Sequence, residues 1–178
     1  MAITVKGKGP AMHDELTEVD IKKMKEEIDY RSKQLRPKLR EDLQVARSYG
    51  DLSENFEYKA AKRELSRNEG RIRYLEKMIE TAVIITTKSS EDRVGLFDKV
   101  ELYQEPEGKT KVIRLVTTLR QDVINRFISK ESPLGKAIMG HKVGDKVYVK
   151  VNDAYGYWVT VKSIEKGEDD ETLKISAY

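Results

Sequence analysis

The stretch Tyr49-Gly50-Asp51-Leu52-Ser53-Glu54-Asn55-Phe56-Glu57-Tyr58 separates two helical patterns. Backward from Gly50, apolar residues fall at Ala46, Leu43, Leu39, Leu35, Ile28, Met24 and Ile21. Steps of three, four or seven are the period of a helix with one buried stripe. Forward from the turn, Tyr58, Ala61, Leu65, Asn68, Ile72, Leu75, Ile79 and Ala82 alternate by three and four, which is a heptad seam. Two such helices joined at 49–52 form an antiparallel hairpin. Thr17, with Asp20 three residues on, reads as the start of the first helix, since a threonine cap and early acids suit a helix N-terminus. A second helix over 53–82 would be ~45 Å long at 1.5 Å per residue, so the hairpin is expected to project into solvent. Pro37 lies inside the first helix and removes the hydrogen bond to the Lys33 carbonyl, for which a kink rather than a break is expected. Asn68 on the seam reads as a register device, and Tyr58 as packing.

The composition agrees with a long two-faced hairpin. The 178 residues are 37% charged, and 34 Lys and Arg against 31 Asp and Glu leave a net charge of only +3. With no cysteine in the chain, disulfides, thiolate metal sites and cysteine nucleophiles are excluded. No apolar run approaches the ~20 residues of a membrane span, and Met1 to Pro10 carries Lys6 and Lys8 without an apolar core behind them. A cytoplasmic protein without a membrane partner is expected.

After residue 86 the period changes. Runs rich in β-branched and aromatic residues at 94–103, 111–118, 127–129, 146–151 and 157–164 are separated by Gly- and Asp-rich turns, the pattern of short strands. Ser132-Pro133-Leu134 opens a short helix that Gly140 closes, with Ser at the cap and Pro at the first helical position. The expected fold is α+β, a helical hairpin followed by a small antiparallel β domain with a short helix. Its expected parts are an N-terminal arm over 1–16, the coiled coil over 17–86, a linker over 87–93, and the β domain with a C-terminal tail over 94–178. Leu173 and Ile175 could pair at a sheet edge. His13 and His141 stand alone in sequence, with no partner at a catalytic spacing.

The charges are unevenly placed. Arg31, Lys33, Arg36, Lys38 and Arg40 form a run without an acid, and Lys59, Lys62, Arg63 and Arg67 lie on the other helix. Between them, Asp51, Glu54 and Glu57 stand three apart at the turn. Two readings of these acids stand. Asp51 and Glu54 have the spacing of a capping box, which spacing alone favours. Close carboxylates also suit a shared hard cation such as Mg²⁺, held weakly unless other ligands join. Arg36, Arg40 and Arg47 share helical spacing and could track phosphates, or form a solvated face with internal pairs. Phe56 is off the seam, a large apolar residue at a tip and a candidate partner contact.

Ala46-Arg47-Ser48-Tyr49-Gly50-Asp51-Leu52-Ser53-Glu54-Asn55-Phe56-Glu57-Tyr58-Lys59-Ala60-Ala61-Lys62 resembles the tip signature of the bacterial Gre-type transcript-cleavage factors, and Ser132-Pro133-Leu134-Gly135-Lys136-Ala137-Ile138-Met139-Gly140 with Lys142-Val143-Gly144-Asp145 resembles their second-domain segment. Arg36-Pro37 also resembles a dipeptide common in that family's first helix. The resemblance covers roughly residues 17–166, and two motifs in two domains are a specific signal.

The resemblance implies a coiled coil followed by an FKBP-like domain that docks on the rim of the RNA polymerase secondary channel. It implies that the tip enters the channel and that Asp51 and Glu54 help hold a Mg²⁺ shared with the polymerase active site. The polymerase would then cleave backtracked RNA faster, and the factor would be no enzyme by itself. Glu57 is a further candidate acid. Arg47 and Lys62, and by extension Arg36 and Arg40, would face the RNA 3′ end. Leu52, Ser53, Asn55 and Phe56 would form the partner-contacting tip. Phe56 departs from the family pattern, which has Ala there. The alternative within the family is a regulator that occupies the channel without stimulating cleavage. An FKBP-like half also raises proline isomerisation, which needs an aromatic-lined apolar pocket.

Overall fold

The computed structural model describes residues 15–50, 55–87, 90–105 and 107–176. They form two compact units. One holds Ile21–Ala82, and the other holds Glu15–Asp20 together with the chain from Val83 onward. The architecture is the expected α+β.

In the first unit, helix α1 (Glu18–Tyr30) passes through a π-helical turn (Arg31–Leu35) into α2 (Arg36–Ser48), and α3 (Phe56–Thr81) runs back antiparallel to them. The expected stripe is the buried one. Met24 and Ala46 on one strand of the hairpin and Asn68, Ile72 and Leu75 on the other are buried. Arg71 and Met78 join them, and neither was expected from the heptad spacing. Thr17 and Asp20 cap α1 reciprocally. The Asp20 amide donates to Thr17 Oγ1 and the Thr17 amide to Asp20 Oδ2, a capping box with Asp in place of Glu.

Pro37 is accommodated as the sequence requires, without ending the helix. The turn before it widens, so that the Arg36 amide donates to the carbonyl of Arg31 five residues back. A π turn lengthens the ladder by one residue and relieves the clash that the proline ring would make with the carbonyl four residues back. Asn68 faces this turn from α3. Its Nδ2 donates to the Arg31 carbonyl at 3.3 Å, and its Oδ1 accepts from Arg31 Nη1 at 3.2 Å. The polar residue on the seam therefore fixes the register of the hairpin at the one place where the ladder is irregular.

In the second unit, β3 (Lys99–Gln104), β4 (Lys109–Val116), β5 (Phe127–Ser129), β6 (Lys146–Lys150) and β7 (Gly156–Glu165) form a sheet in the order β5-β4-β3-β7-β6. All neighbours are antiparallel except β4 and β5, which are parallel, so the sheet is mixed rather than purely antiparallel. Helix α4 (Pro133–Ile138) has the expected cap, with the Gly135 amide donating to Ser132 Oγ. Gly135 is obligatory there, because a Cβ would lie 2.2 Å from the Ser129 carbonyl oxygen. The core joins Ile138 to Val100, Leu102, Ile113, Val159 and Val161 from alternate positions of the strands, as a half-buried sheet demands.

Four boundaries differ from the sequence-based expectation. The strand expected from residue 94 begins at Lys99, because Phe97 adopts φ 70° and Asp98 is buried in a turn, accepting from the Gly95 and Gly167 amides and Lys166 Nζ. Residues expected in the arm and the coiled coil belong to this unit, since β1 (Glu15–Leu16) pairs in parallel with β2 (Val83–Ile84). Arg120, wholly buried, binds Asp20 and lies over the Phe97 ring. The expected linker is likewise part of the unit, with Arg93 bridged to Lys142. The expected tail packs instead of pairing at an edge. Leu173 is buried with Leu96, Phe97 and Val116, and the Ser176 amide and hydroxyl donate to the Leu119 carbonyl.

Candidate functional site at the hairpin tip

Asp51, Leu52, Ser53 and Glu54 lie outside the described residues, so the site is defined by what flanks them. The chain leaves α2 through Tyr49 and Gly50, the latter at φ +116°, a conformation that suits glycine. It re-enters at Asn55. That side chain accepts from the Tyr58 amide at 2.9 Å and donates through Nδ2 to the Ala46 carbonyl at 2.8 Å. Asn55 therefore caps α3 and ties the two helices together across the turn. The cap of this helix is Asn55 and not Asp51, so the capping-box explanation of the Asp51 and Glu54 spacing does not hold for α3, which starts at Phe56 rather than 53. Both ends of the Asn55 side chain are engaged within the hairpin, which makes it a positioning residue rather than a free partner contact.

Among the described residues around this turn, two aromatic rings and several charged side chains face solvent. Phe56 is 83% exposed and Tyr49 69%, an uncommon placement for large rings on two sides of one turn. Sequence reading singled out Phe56 but not Tyr49, whose position next to the helix-ending glycine was the available signal. Lys59 Nζ lies 5.8 Å from the Phe56 ring centre, and the Arg47 guanidinium 5.8 Å from that of Tyr58. Tyr58 is half-buried, on the seam as expected, and it holds Arg47 by a cation–π contact. Glu57 is exposed in the first turn of α3, and Arg40, Arg47 and Lys62 are exposed as well.

Arg36 differs from the other candidate phosphate ligands. It grips Glu69 of α3 with two parallel hydrogen bonds, Nε to Oε1 at 2.6 Å and Nη2 to Oε2 at 2.8 Å. The Arg36 bonds hold the Glu69 carboxyl below the usual range, and Arg40 and Arg73 add to this. Further along the shaft, Glu27 accepts from Arg31 Nε at 2.6 Å and from both Nε and Nη2 of Arg71. Burial pushes the Glu27 carboxyl up, but Arg71 and Arg31 outweigh it and hold the group below its ordinary value. Arg36 and Arg71 are thus tied to acids across the hairpin, and Arg31 to Glu27 on its own helix.

The donor set at the turn is oxygen-only. Asp51 and Glu54 have Glu57 nearby in sequence, with no cysteine in the chain, which fits a hard cation such as Mg²⁺ and not a soft metal. His141, expected from the sequence to stand alone, has a partner. Its Nδ1 lies 3.0 Å from Asp145 Oδ2, and the same carboxylate accepts from the Lys142 amide. The Lys142 amide and then the His141 ring hold Asp145 below the usual carboxylate range. This exposed pair closes the turn after α4. A cavity of about 390 Å³ in the second unit is lined by Ile85, Val94, Leu96, Met139, Arg93 and Lys130 among others, with no aromatic residue, which does not match an aromatic-lined proline-isomerase pocket. Among the described residues, no helix is long and apolar enough to cross a membrane.

Two family descriptions match this chain in order. "Transcription elongation factor, N-terminal" matches residues 15–84, and "Transcription elongation factor, GreA/GreB, C-term" matches residues 88–166. The transcription elongation factor GreA of Oenococcus oeni is 34% identical over 154 residues, covering 86% of this chain and 95% of that protein. The GreA of Mesorhizobium japonicum is 41% identical over 136 residues, covering 75% and 87%. The solved structure of GreA factor homolog 1 (Gfh1) of Thermus thermophilus is 27% identical, covers 87% of this chain and 100% of that one, and superposes with a TM-score of 0.40. The two matched segments span the hairpin and the β domain, and with the two GreA relatives they show that the chain belongs to the GreA/GreB family of transcription elongation factors.

Proposed function

We propose that the protein enters the secondary channel of bacterial RNA polymerase tip first and stimulates the polymerase's own cleavage of backtracked RNA. The observation that carries this reading is the Asn55 tie. It closes the hairpin on both sides of the four-residue segment that holds Asp51 and Glu54, at the end of a 26-residue helix about 39 Å long. The β domain docks on the channel rim in this reading.

Asp51 and Glu54 present carboxylate oxygens to a Mg²⁺ shared with the polymerase, with Glu57 as a further acid one turn along. A Mg²⁺ held there by Asp51 and Glu54 would supply Lewis-acid chemistry, activating a water and offsetting charge on the phosphodiester. Few exposed carboxylates hold such an ion only weakly, so the protein alone is no nuclease and needs the polymerase for the rest of the site. Arg47 and Lys62, exposed beside the turn, hold phosphates of the extruded RNA 3′ segment. Arg40 is an additional phosphate ligand further from the tip. Arg36, gripped by Glu69, orders the shaft instead. Leu52, Ser53 and Phe56 contact the channel wall.

The test is cleavage of RNA in a stalled, backtracked complex. Wild-type protein accelerates it, and the double change Asp51→Asn with Glu54→Gln abolishes the acceleration while channel binding persists. A second reading, a channel occupant that does not stimulate, is favoured by one observation, the exposed ring of Phe56, which follows Glu54 by two residues in sequence. Under that reading Phe56→Ala gains stimulation that the wild type lacks. Under the main reading it changes the rate only a few-fold.

A further inference from the structure

The outer face of the β domain carries a feature that the tip does not use. In β6 and β7, Val149, Val159 and Val161 point into the core, so Lys146, Tyr148, Lys150 and Trp158 lie on the opposite face. Tyr148 and Trp158 are direct cross-strand partners with ring centres 5.1 Å apart, and they remain 48% and 44% exposed. On the next strand, Val100 and Leu102 belong to the core, so the half-buried Tyr103 lies on the same face as Trp158. Three aromatic rings therefore stand on three adjacent strands, at a strand spacing of about 4.8 Å. Lysines are interleaved with them. Lys146 Nζ is 5.2 Å from the Trp158 ring centre and Lys162 Nζ 5.5 Å from that of Tyr103. Gly156 opposes Lys150, and a Cβ there would meet Tyr148 Oη at 2.3 Å, so the glycine leaves room for that ring to lie across the sheet.

We infer that this face is a platform for single-stranded nucleic acid. Unpaired bases stack on exposed rings of any sequence, and nearby lysines meet the phosphates between them. A sheet with exposed aromatics on neighbouring strands is a recurrent way to present such rings. The acids on the face do not oppose this. Glu105 is matched by Lys146 at 2.6 Å and Glu101 accepts from the Ser163 hydroxyl, while Lys150 pairs with Asp153, which is fully exposed. Exposed ion pairs of this kind contribute little and exchange readily for phosphate. A cross-strand aromatic pair stabilises a hairpin wherever it occurs, but that does not account for lysines over two of the three rings. The inference is independent of the tip and of cleavage stimulation.

Trp158 is the single tryptophan of the chain, so its fluorescence reports on this face alone. The full-length protein is titrated with mixed-sequence 12-nucleotide RNA, the same DNA, and a DNA duplex. The expected result is saturable quenching by either single strand, with the duplex at least tenfold weaker. The affinity should fall about an order of magnitude between 50 and 200 mM salt for about three phosphates held. Tyr148→Ala should weaken single-strand binding about tenfold. Lys146→Gln with Lys162→Gln, which keeps the rings and the fold, should flatten the salt dependence. Absence of quenching at low salt, duplex binding as tight as single-strand binding, or an unchanged salt slope in the lysine variant would overturn the inference. Quenching or shielding of Trp158 by RNA polymerase without any response to oligonucleotide would also overturn it, assigning the face to a protein partner.

Discussion

The middle of the hairpin and its tip are built from the same residue types and use them in opposite ways. At the π turn, Arg31, Arg36 and Arg71 are each tied to Glu27 or Glu69, and Asn68 closes the irregular ladder. At the tip, Arg47 and Lys62 are exposed, and Arg47 lies over the Tyr58 ring. Paired charge in the shaft therefore ties the two helices together, whereas these two tip cations face solvent. A buried or half-buried cation must be paired to be tolerated, whereas an exposed one costs little to leave unpaired.

The comparison can be broken from either end. The largest effect is expected at the tip and on activity only. Asp51→Asn with Glu54→Gln should reduce stimulated cleavage at least 100-fold, roughly 2.7 kcal/mol of barrier, with a melting temperature within error of wild type. In the shaft the pattern reverses. Glu27→Ala leaves Arg71, 8% exposed, without its acid and should cost about 2–3 kcal/mol of hairpin stability, read by helical thermal melting. The pH dependence has a definite sign. The folded-state carboxyl of Glu27 is held low by Arg71 and Arg31. Its contribution is complete above the ordinary Glu value of about 4.3 and is lost as pH falls through the lower folded value. Glu27→Gln should be less stable at pH 7 and show a shallower acid loss in melts between pH 7 and 3.

Asn55→Ala tests the border between the two regimes. It removes the cap of α3 and the tie to Ala46, so about 1–2 kcal/mol of stability should go together with a several-fold loss of stimulation. The smallest effect is expected for Arg47→Ala with Lys62→Ala. Stability should change by less than about 0.5 kcal/mol. Binding to the stalled complex should weaken about three- to tenfold and become less salt-dependent.

Much of the hairpin was legible because its signals are local. The seam, the Thr17–Asp20 cap and the Ser132-Pro133 helix start all follow from spacing along one element. What escaped is non-local. Asn55 could be chosen over Asp51 as the cap only once its Nδ2 reached Ala46, nine residues back. A two-residue strand such as Glu15–Leu16 carries no alternation, and its partner lies at Val83–Ile84. Arg120 looks like any surface arginine in sequence, but it is buried against Asp20, one hundred residues away. The tail was misread because a single Leu173 cannot announce the cluster of Leu96, Phe97 and Val116 that covers it. The aromatic and lysine positions on the outer sheet face were present as an alternation in β6, but only the register with β7 and β3 brings them together.

The most direct test of the tip as the acting end is the time course of RNA cleavage in a stalled, backtracked polymerase complex with increasing wild-type protein. The expected result is an acceleration of at least tenfold that saturates with occupancy and requires Mg²⁺. A saturated complex that cleaves no faster than polymerase alone would contradict it.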